Sequence, residues 1–155
     1  MELLATYLND HLAGATGGLE LARRARGSNE GNEYGKLLDE LVPELEEERS
    51  GLIDLIEELG YRRDHLKVAG GWVGEKFGRL KPNGSLISYS PLSRLIELEG
   101  LTMGVAGKRS MWVNLQAAGL HPAAVDLAAL EGRANSQLER LEALRRQAAA
   151  EAFGG

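Results

Sequence analysis

Four stretches of the sequence carry apolar residues at alternating steps of three and four, and this spacing most constrains the fold. It places the apolar side chains on one face of an α-helix. The pattern predicts four long helices, over residues 2–26, 33–59, 91–118 and 122–150. Gly27, Gly60 and Gly119 follow the first three stretches, and Pro91 and Pro122 are the first residues of the third and fourth stretches. We therefore expect an all-α protein.

The lengths of the connections predict how the helices are arranged. Short turns join the first helix to the second and the third to the fourth, and such turns make each pair an antiparallel hairpin. Residues 61–90 form a much longer crossover, in which Leu66, Val73 and Phe77 share a face that predicts a short helix. A chain of 155 residues suits one domain. The sequence thus predicts a single four-helix-bundle domain over residues 1–155, with its two hairpins joined by a crossover that contains a short helix.

Charge and composition exclude several classes of function. The net charge of −5 argues against a nucleic-acid partner, because nucleic-acid-binding domains present basic faces. We expect no membrane partner, since no apolar run is long enough to span a bilayer. The first residues lack the basic start and apolar core of a signal peptide, so a cytoplasmic location is predicted. The absence of Cys excludes disulfides, thiolate metal sites and Cys nucleophiles.

Three titratable residues interrupt the predicted apolar faces of the helices. His11 and Glu48 are equally far from the first turn, so the hairpin should place them at one level of the bundle. The third is Glu99, on the predicted inward face of the third helix. That face consists of Leu92, Ile96, Glu99, Met103, Ala106, Ser110, Val113 and Ala117. Because ionised side chains are rarely buried unless they are paired or bound to a metal, these residues form a candidate site.

Two interpretations of this site stay open. In the first, His11 and Glu48 form a charge-assisted hydrogen bond. No cofactor is then needed, and we favour this interpretation because buried polar groups usually occur in mutually satisfied sets. In the second, His11, Glu48 and Glu99 bind a single Fe, Mn or Zn ion, because imidazole and carboxylate ligands suit those metals. Glu44 would then be a flanking ligand.

A basic segment follows the second helix. Residues 61–81 carry six Lys or Arg against two acids. Arg62, Arg63 and Lys67, with Trp72 nearby, form a candidate site for a small anionic ligand. The alternative is that the basic crossover lies near the acidic second helix, since charge runs are usually solvated faces.

Glycine is frequent, with 20 residues. Several glycines recur at four-residue spacing within helical segments, namely Gly14 and Gly18, Gly70, Gly74 and Gly78, and Gly100 and Gly104. An interior helical glycine costs about 0.5–1 kcal/mol relative to alanine, so these positions should serve a purpose. We expect them to form shallow grooves in which a neighbouring helix packs closely.

The predicted helix order resembles that of the ferritin-like superfamily, in which two helix hairpins are joined by a long crossover. Residues 7–14 (YLNDHLAG), 78–84 (GRLKPNG) and 90–93 (SPLS) also resemble blocks of small bacterial proteins of this shape. Di-iron members carry a Glu-x-x-His pair on each of two helices, and this sequence contains no such pair. The resemblance therefore implies a ferritin-like bundle without the standard di-iron centre.

These observations predict a non-catalytic protein that acts through interactions or as a homo-oligomer, with a homodimer as the expected partner state. One alternative is a degenerate metal-binding protein with oxidase or metal-handling activity. The other alternative is a binder of a small anionic ligand.

Overall fold

The structure, a computed structural model, describes residues 2–65 and 88–154 and contains four long α-helices in these ranges. The helices are α1 (Glu2–Ser28), α2 (Glu33–Glu58), α3 (Pro91–Ala117) and α4 (Leu127–Phe153). No strand occurs in the described part of the chain, which confirms the all-α prediction. None of these helices, over the same residues, has an apolar stretch sufficient to cross a membrane. The short helix predicted in the crossover lies outside the described residues.

The helix boundaries follow from local capping chemistry. Ser90 and Ser93 form a capping box at the start of α3, as expected from the Ser-Pro sequence there. The start predicted for the fourth helix was wrong, because α4 begins five residues after Pro122, where the Asp126 side chain accepts a hydrogen bond from the Ala129 amide. A carboxylate in this position satisfies a backbone donor that the first turn leaves unpaired.

Glycines end the helices where the backbone needs a positive φ. Gly60 (φ 72°) and Gly119 (φ 74°) follow α2 and α3, as predicted. The first hairpin differs, because α1 continues through Gly27 to Ser28 and the turn instead uses Gly31 (φ 80°).

The four helices pack as a bundle in which α1 contacts α2 and α3, and α4 contacts α3 and α2. The Asn114 side chain bonds the Tyr7 hydroxyl near one end, and Arg24 lies 3.9 Å from Glu97 near the other, so α1 and α3 are antiparallel. Since α1 and α2 also form an antiparallel hairpin, α2 and α3 run parallel. The second helix therefore ends, and the third begins, at opposite ends of the bundle.

The core consists of two apolar clusters at different levels. The cluster near the α1–α2 turn includes Leu38, Leu41, Leu98, Leu101 and Leu141. The cluster near the start of α1 includes Leu8, Leu55, Ile56, Trp112 and Leu115. Trp112 is completely buried. Polar side chains lie between the two clusters.

The face of α3 that enters the core differs from the predicted one. Its buried residues are Leu95, Glu97, Leu98, Leu101, Val105, Met111, Trp112 and Leu115. On the predicted face, Leu92 and Met103 are 49% and 46% exposed, and Glu99 is exposed as well. The prediction was wrong because α3 carries apolar residues on both faces, and helical spacing alone does not distinguish them.

Candidate functional site

A central polar layer of five side chains lies between the two apolar clusters. It consists of Glu44 and Glu48 from α2, Lys108 from α3, and Gln137 and Arg140 from α4. The Lys108 ammonium donates hydrogen bonds to a Glu48 oxygen and, over 2.7 Å, to Gln137 Oε1. Gln137 Nε2 donates to Glu48 Oε1 (2.9 Å) and to Glu44 Oε2 (2.8 Å). The layer thus connects three helices through side chains that satisfy one another.

The polar layer contains an ion pair that is almost removed from solvent. The side chains of Glu48 and Lys108 are 2% and 13% exposed. Burial lowers the pKa of Lys108 and outweighs the opposing effect of the Glu48 carboxylate, which raises it. The pair is therefore formed in surroundings that penalise charge.

Glu44 lies at the outer edge of the polar layer. Burial raises the pKa of Glu44, but hydrogen bonds from Gln137 and Arg140 outweigh it and leave the pKa below its usual value. Arg140 Nη2 lies 2.8 Å from Glu44 Oε2, with the Arg140 side chain partly exposed. Glu44 is thus held ionised by neighbours on α4.

The four predicted metal ligands occupy different surroundings. Glu48 is buried, as predicted, but Lys108 and Gln137 are its partners in place of His11. His11 is half-buried, and its ring packs edge-on against Tyr7 with the ring centroids 4.6 Å apart. Glu99 is exposed, because it lies on the outer face of α3. Within residues 2–65 and 88–154, no three His, Cys, Asp or Glu side chains are grouped so that they could hold a metal ion.

A cavity of about 320 Å³ opens beside the polar layer, between α1, α2 and α3. Its lining is mainly apolar and includes Leu19, Leu45, Leu52, Leu101, Val105 and Met111. Five titratable residues also line it, namely Asp10, His11, Glu48, Arg49 and Lys108. The burial of His11 in this wall lowers its pKa, and the Asp10 carboxylate opposes that shift. The cavity thus combines an apolar surface with the only buried ion pair in the described residues.

Glycines keep this cavity clear of side chains. Gly14 and Gly18 line it from α1, and Gly104 and Gly107 line it from α3. A Cβ added at any of the four would meet no atom of a neighbouring part of the described chain within 4 Å. The expected close packing was therefore wrong for Gly14, Gly18 and Gly104, because these residues border open space. Gly70, Gly74 and Gly78 lie outside the described residues.

The predicted anion site falls only partly within the described residues. Arg62 and Arg63 are exposed, and the Arg63 guanidinium lies 3.4 Å from Glu57. Asn9 holds this part of the chain against α1, since its amide donates to the Arg62 carbonyl (3.1 Å) and its oxygen accepts from the Asp64 amide (2.7 Å). Lys67 and Trp72 lie outside the described residues.

Lys108 and Gln137 belong to the site, although the helical spacing considered above did not predict them. Lys108 lies at helical spacing between Val105 and Trp112, so it interrupts the face of α3 that is buried. Gln137 follows Ala134 by three residues on the buried face of α4. A search for polar residues on every apolar face, including both faces of α3, would have identified them.

Comparisons with protein-family models, with curated proteins and with solved structures find no match for this chain.

Proposed function

We propose that this chain is a non-catalytic four-helix-bundle protein that binds a small apolar molecule in the cavity between α1, α2 and α3. The observation that carries the proposal is the cavity itself, with its largely apolar lining and its volume of about 320 Å³. A dry apolar cavity of about 150 Å³ can bind benzene. A ligand of roughly a dozen non-hydrogen atoms would therefore fit here.

The glycines of the lining support a binding role. Each interior helical glycine costs about 0.5–1 kcal/mol relative to alanine. Gly14, Gly18, Gly104 and Gly107 all border open space, so an alanine at any of them would meet no neighbouring element among the described residues. Their use in keeping room for a ligand accounts for this cost.

The polar layer supports a ferritin-like bundle that has a lysine at its centre. The parallel α2 and α3 and the long connection between them agree with the helix order of that superfamily. In our proposal, the Lys108 ammonium supplies the positive charge that metal ions supply in its di-iron members. The alternative of a single Fe, Mn or Zn ion bound by His11, Glu48 and Glu99, with Glu44 as a flanking ligand, stays a prediction. Metal analysis of protein purified without added metal tests it.

Calorimetric titration with butylbenzene tests the binding function. We expect saturable binding and a rise in Tm with ligand concentration, because a ligand that binds only the folded state stabilises it. Gly104→Leu should fill the cavity and abolish binding while the protein remains folded. Gly132→Leu is the matched control, because Gly132 is an exposed position on α4 that does not line the cavity. Equal binding by the two variants, or no binding by the wild type, would contradict the proposal.

A homodimer is the second candidate, favoured by the outer face of α3. Leu92 and Met103 are large, exposed apolar residues that lie three helical turns apart and so share one side of the helix. A second copy of the chain would cover this face. Sedimentation equilibrium should then show a dimer that Leu92→Glu dissociates and that Leu3→Glu, at an exposed site on α1, leaves intact.

A further inference from the structure

Lys108 belongs to two features at once, the central polar layer and the lining of the cavity. Its Nζ has hydrogen-bond acceptors on Glu48 and Gln137, and an ammonium has three donors. The Lys108 side chain is 13% exposed to solvent. A primary amine therefore lies next to an apolar cavity, with a carboxylate as its immediate neighbour. Desolvated lysines in such surroundings act as nucleophiles towards carbonyl compounds.

Proton transfer from Lys108 to Glu48 would give the nucleophilic form of the amine. Two charges taken out of water are costly, and transfer of the proton within the pair converts both groups to neutral forms. The resulting amine faces the cavity, because Lys108 lines it.

We propose that Lys108 forms an imine with an apolar aldehyde or ketone bound in the cavity. This inference rests on the proposed binding function, because the cavity holds the apolar part of the ligand. The Lys108 nitrogen bonds to the carbonyl carbon, and the carbon–oxygen double bond opens to give a carbinolamine. One amine proton moves to the carbonyl oxygen and makes the carbinolamine hydroxyl. That hydroxyl leaves as water with the proton that Glu48 holds while the nitrogen lone pair forms the carbon–nitrogen double bond, and the Glu48 carboxylate then takes the remaining proton from nitrogen. One amine and one carbonyl compound give one imine and one water, with no change of oxidation state.

Reductive trapping tests this reaction directly. The full-length protein is incubated with 4-butylbenzaldehyde and cyanoborohydride, which reduces an imine to a stable secondary amine, and the labelled lysines are located by mass spectrometry. We expect Lys108 to be labelled at least roughly tenfold faster than Lys36, the internal control, because local concentration in a binding site accelerates reactions far beyond this ratio. Lys36 is exposed on α2. Lys108→Arg should remove the label at residue 108 and leave that at Lys36.

A second variant keeps the test independent of any effect of Lys108→Arg on folding. Gly104→Leu fills the cavity without changing the polar layer, so it should slow labelling of Lys108 to the rate of Lys36 or below. Labelling of Lys108 no faster than that of Lys36, in a protein that binds butylbenzene, would overturn the imine and leave the binding function standing. Absence of butylbenzene binding would overturn both. Labelling of Lys108 that Gly104→Leu does not slow would overturn the role of the cavity.

Discussion

Replacement of Lys108 by methionine should be strongly destabilising, because it leaves the Glu48 carboxylate buried without its cation. Methionine keeps the length and apolar character of the lysine stem, so the change is mainly one of charge. The Glu48 side chain is 2% exposed, so little water reaches it to replace the lost partner. Gln137 would still donate one hydrogen bond to Glu48, but an amide carries no net charge.

The expected loss follows from the burial of the pair. Removal of one partner of a buried ion pair typically costs about 3–5 kcal/mol. In a domain of 155 residues each kcal/mol lowers Tm by about 2–4 °C, so Tm should fall by roughly 10 °C. Thermal and urea unfolding followed by circular dichroism would measure both quantities. The double variant Glu48→Met with Lys108→Met should recover much of the loss, since it removes both buried charges.

The ion pair between Arg23 and Glu46 is the matched control. Its side chains are 48% and 46% exposed, and exposed pairs contribute about 0–1 kcal/mol. Arg23→Met should therefore change Tm little. If Lys108→Met costs no more than Arg23→Met, or if the double variant is less stable than Lys108→Met alone, then the unpaired Glu48 carboxylate is not the source of the destabilisation.

Three further predictions concern single positions. Gly35→Ala should lower Tm strongly, because the added Cβ would collide with the carbonyl oxygen of Asn29. Gly132→Ala, in open space, should raise the free energy of unfolding by about 0.5–1 kcal/mol. Equal effects of the two substitutions would refute this. Burial raises the pKa of Glu97 above its value of 4.5 in the unfolded chain, so ionisation of Glu97 destabilises the fold. Glu97→Gln should therefore raise the urea midpoint at neutral pH, and this increase should disappear as pH falls towards 4.5. A lower midpoint at neutral pH would contradict it. Burial lowers the pKa of His11, and Asp10 opposes that shift, so the folded state binds fewer protons than the unfolded chain and should lose stability as pH falls below 6.5. The decrease in Tm from neutral pH to about pH 5.5 should be smaller in His11→Gln than in the wild type. An equal decrease in the two proteins would contradict this role of His11.

The helices could be predicted closely because the information for them is local. The Ser90–Pro91 start of α3 and the glycine ends at Gly60 and Gly119 depend on residues within one or two turns. The start of α4 was missed because Asp126 provides a better cap than the proline four residues earlier. The prediction from helical spacing also placed Glu48 inside the bundle, which its burial confirms.

Four amphipathic helices, their order and a carboxylate in the core are predictable from the amino-acid sequence, because they follow from spacing of three and four residues along one chain. The packing of the folded chain sets which face of α3 enters the core and pairs Lys108 with Glu48, 60 residues away. It also decided that Gly14, Gly18 and Gly104 border a cavity in place of a close helix contact. These features depend on the distances and rotations between helices. Side chains from several helices together set these distances and rotations, so the residue pattern of a single helix does not predict them.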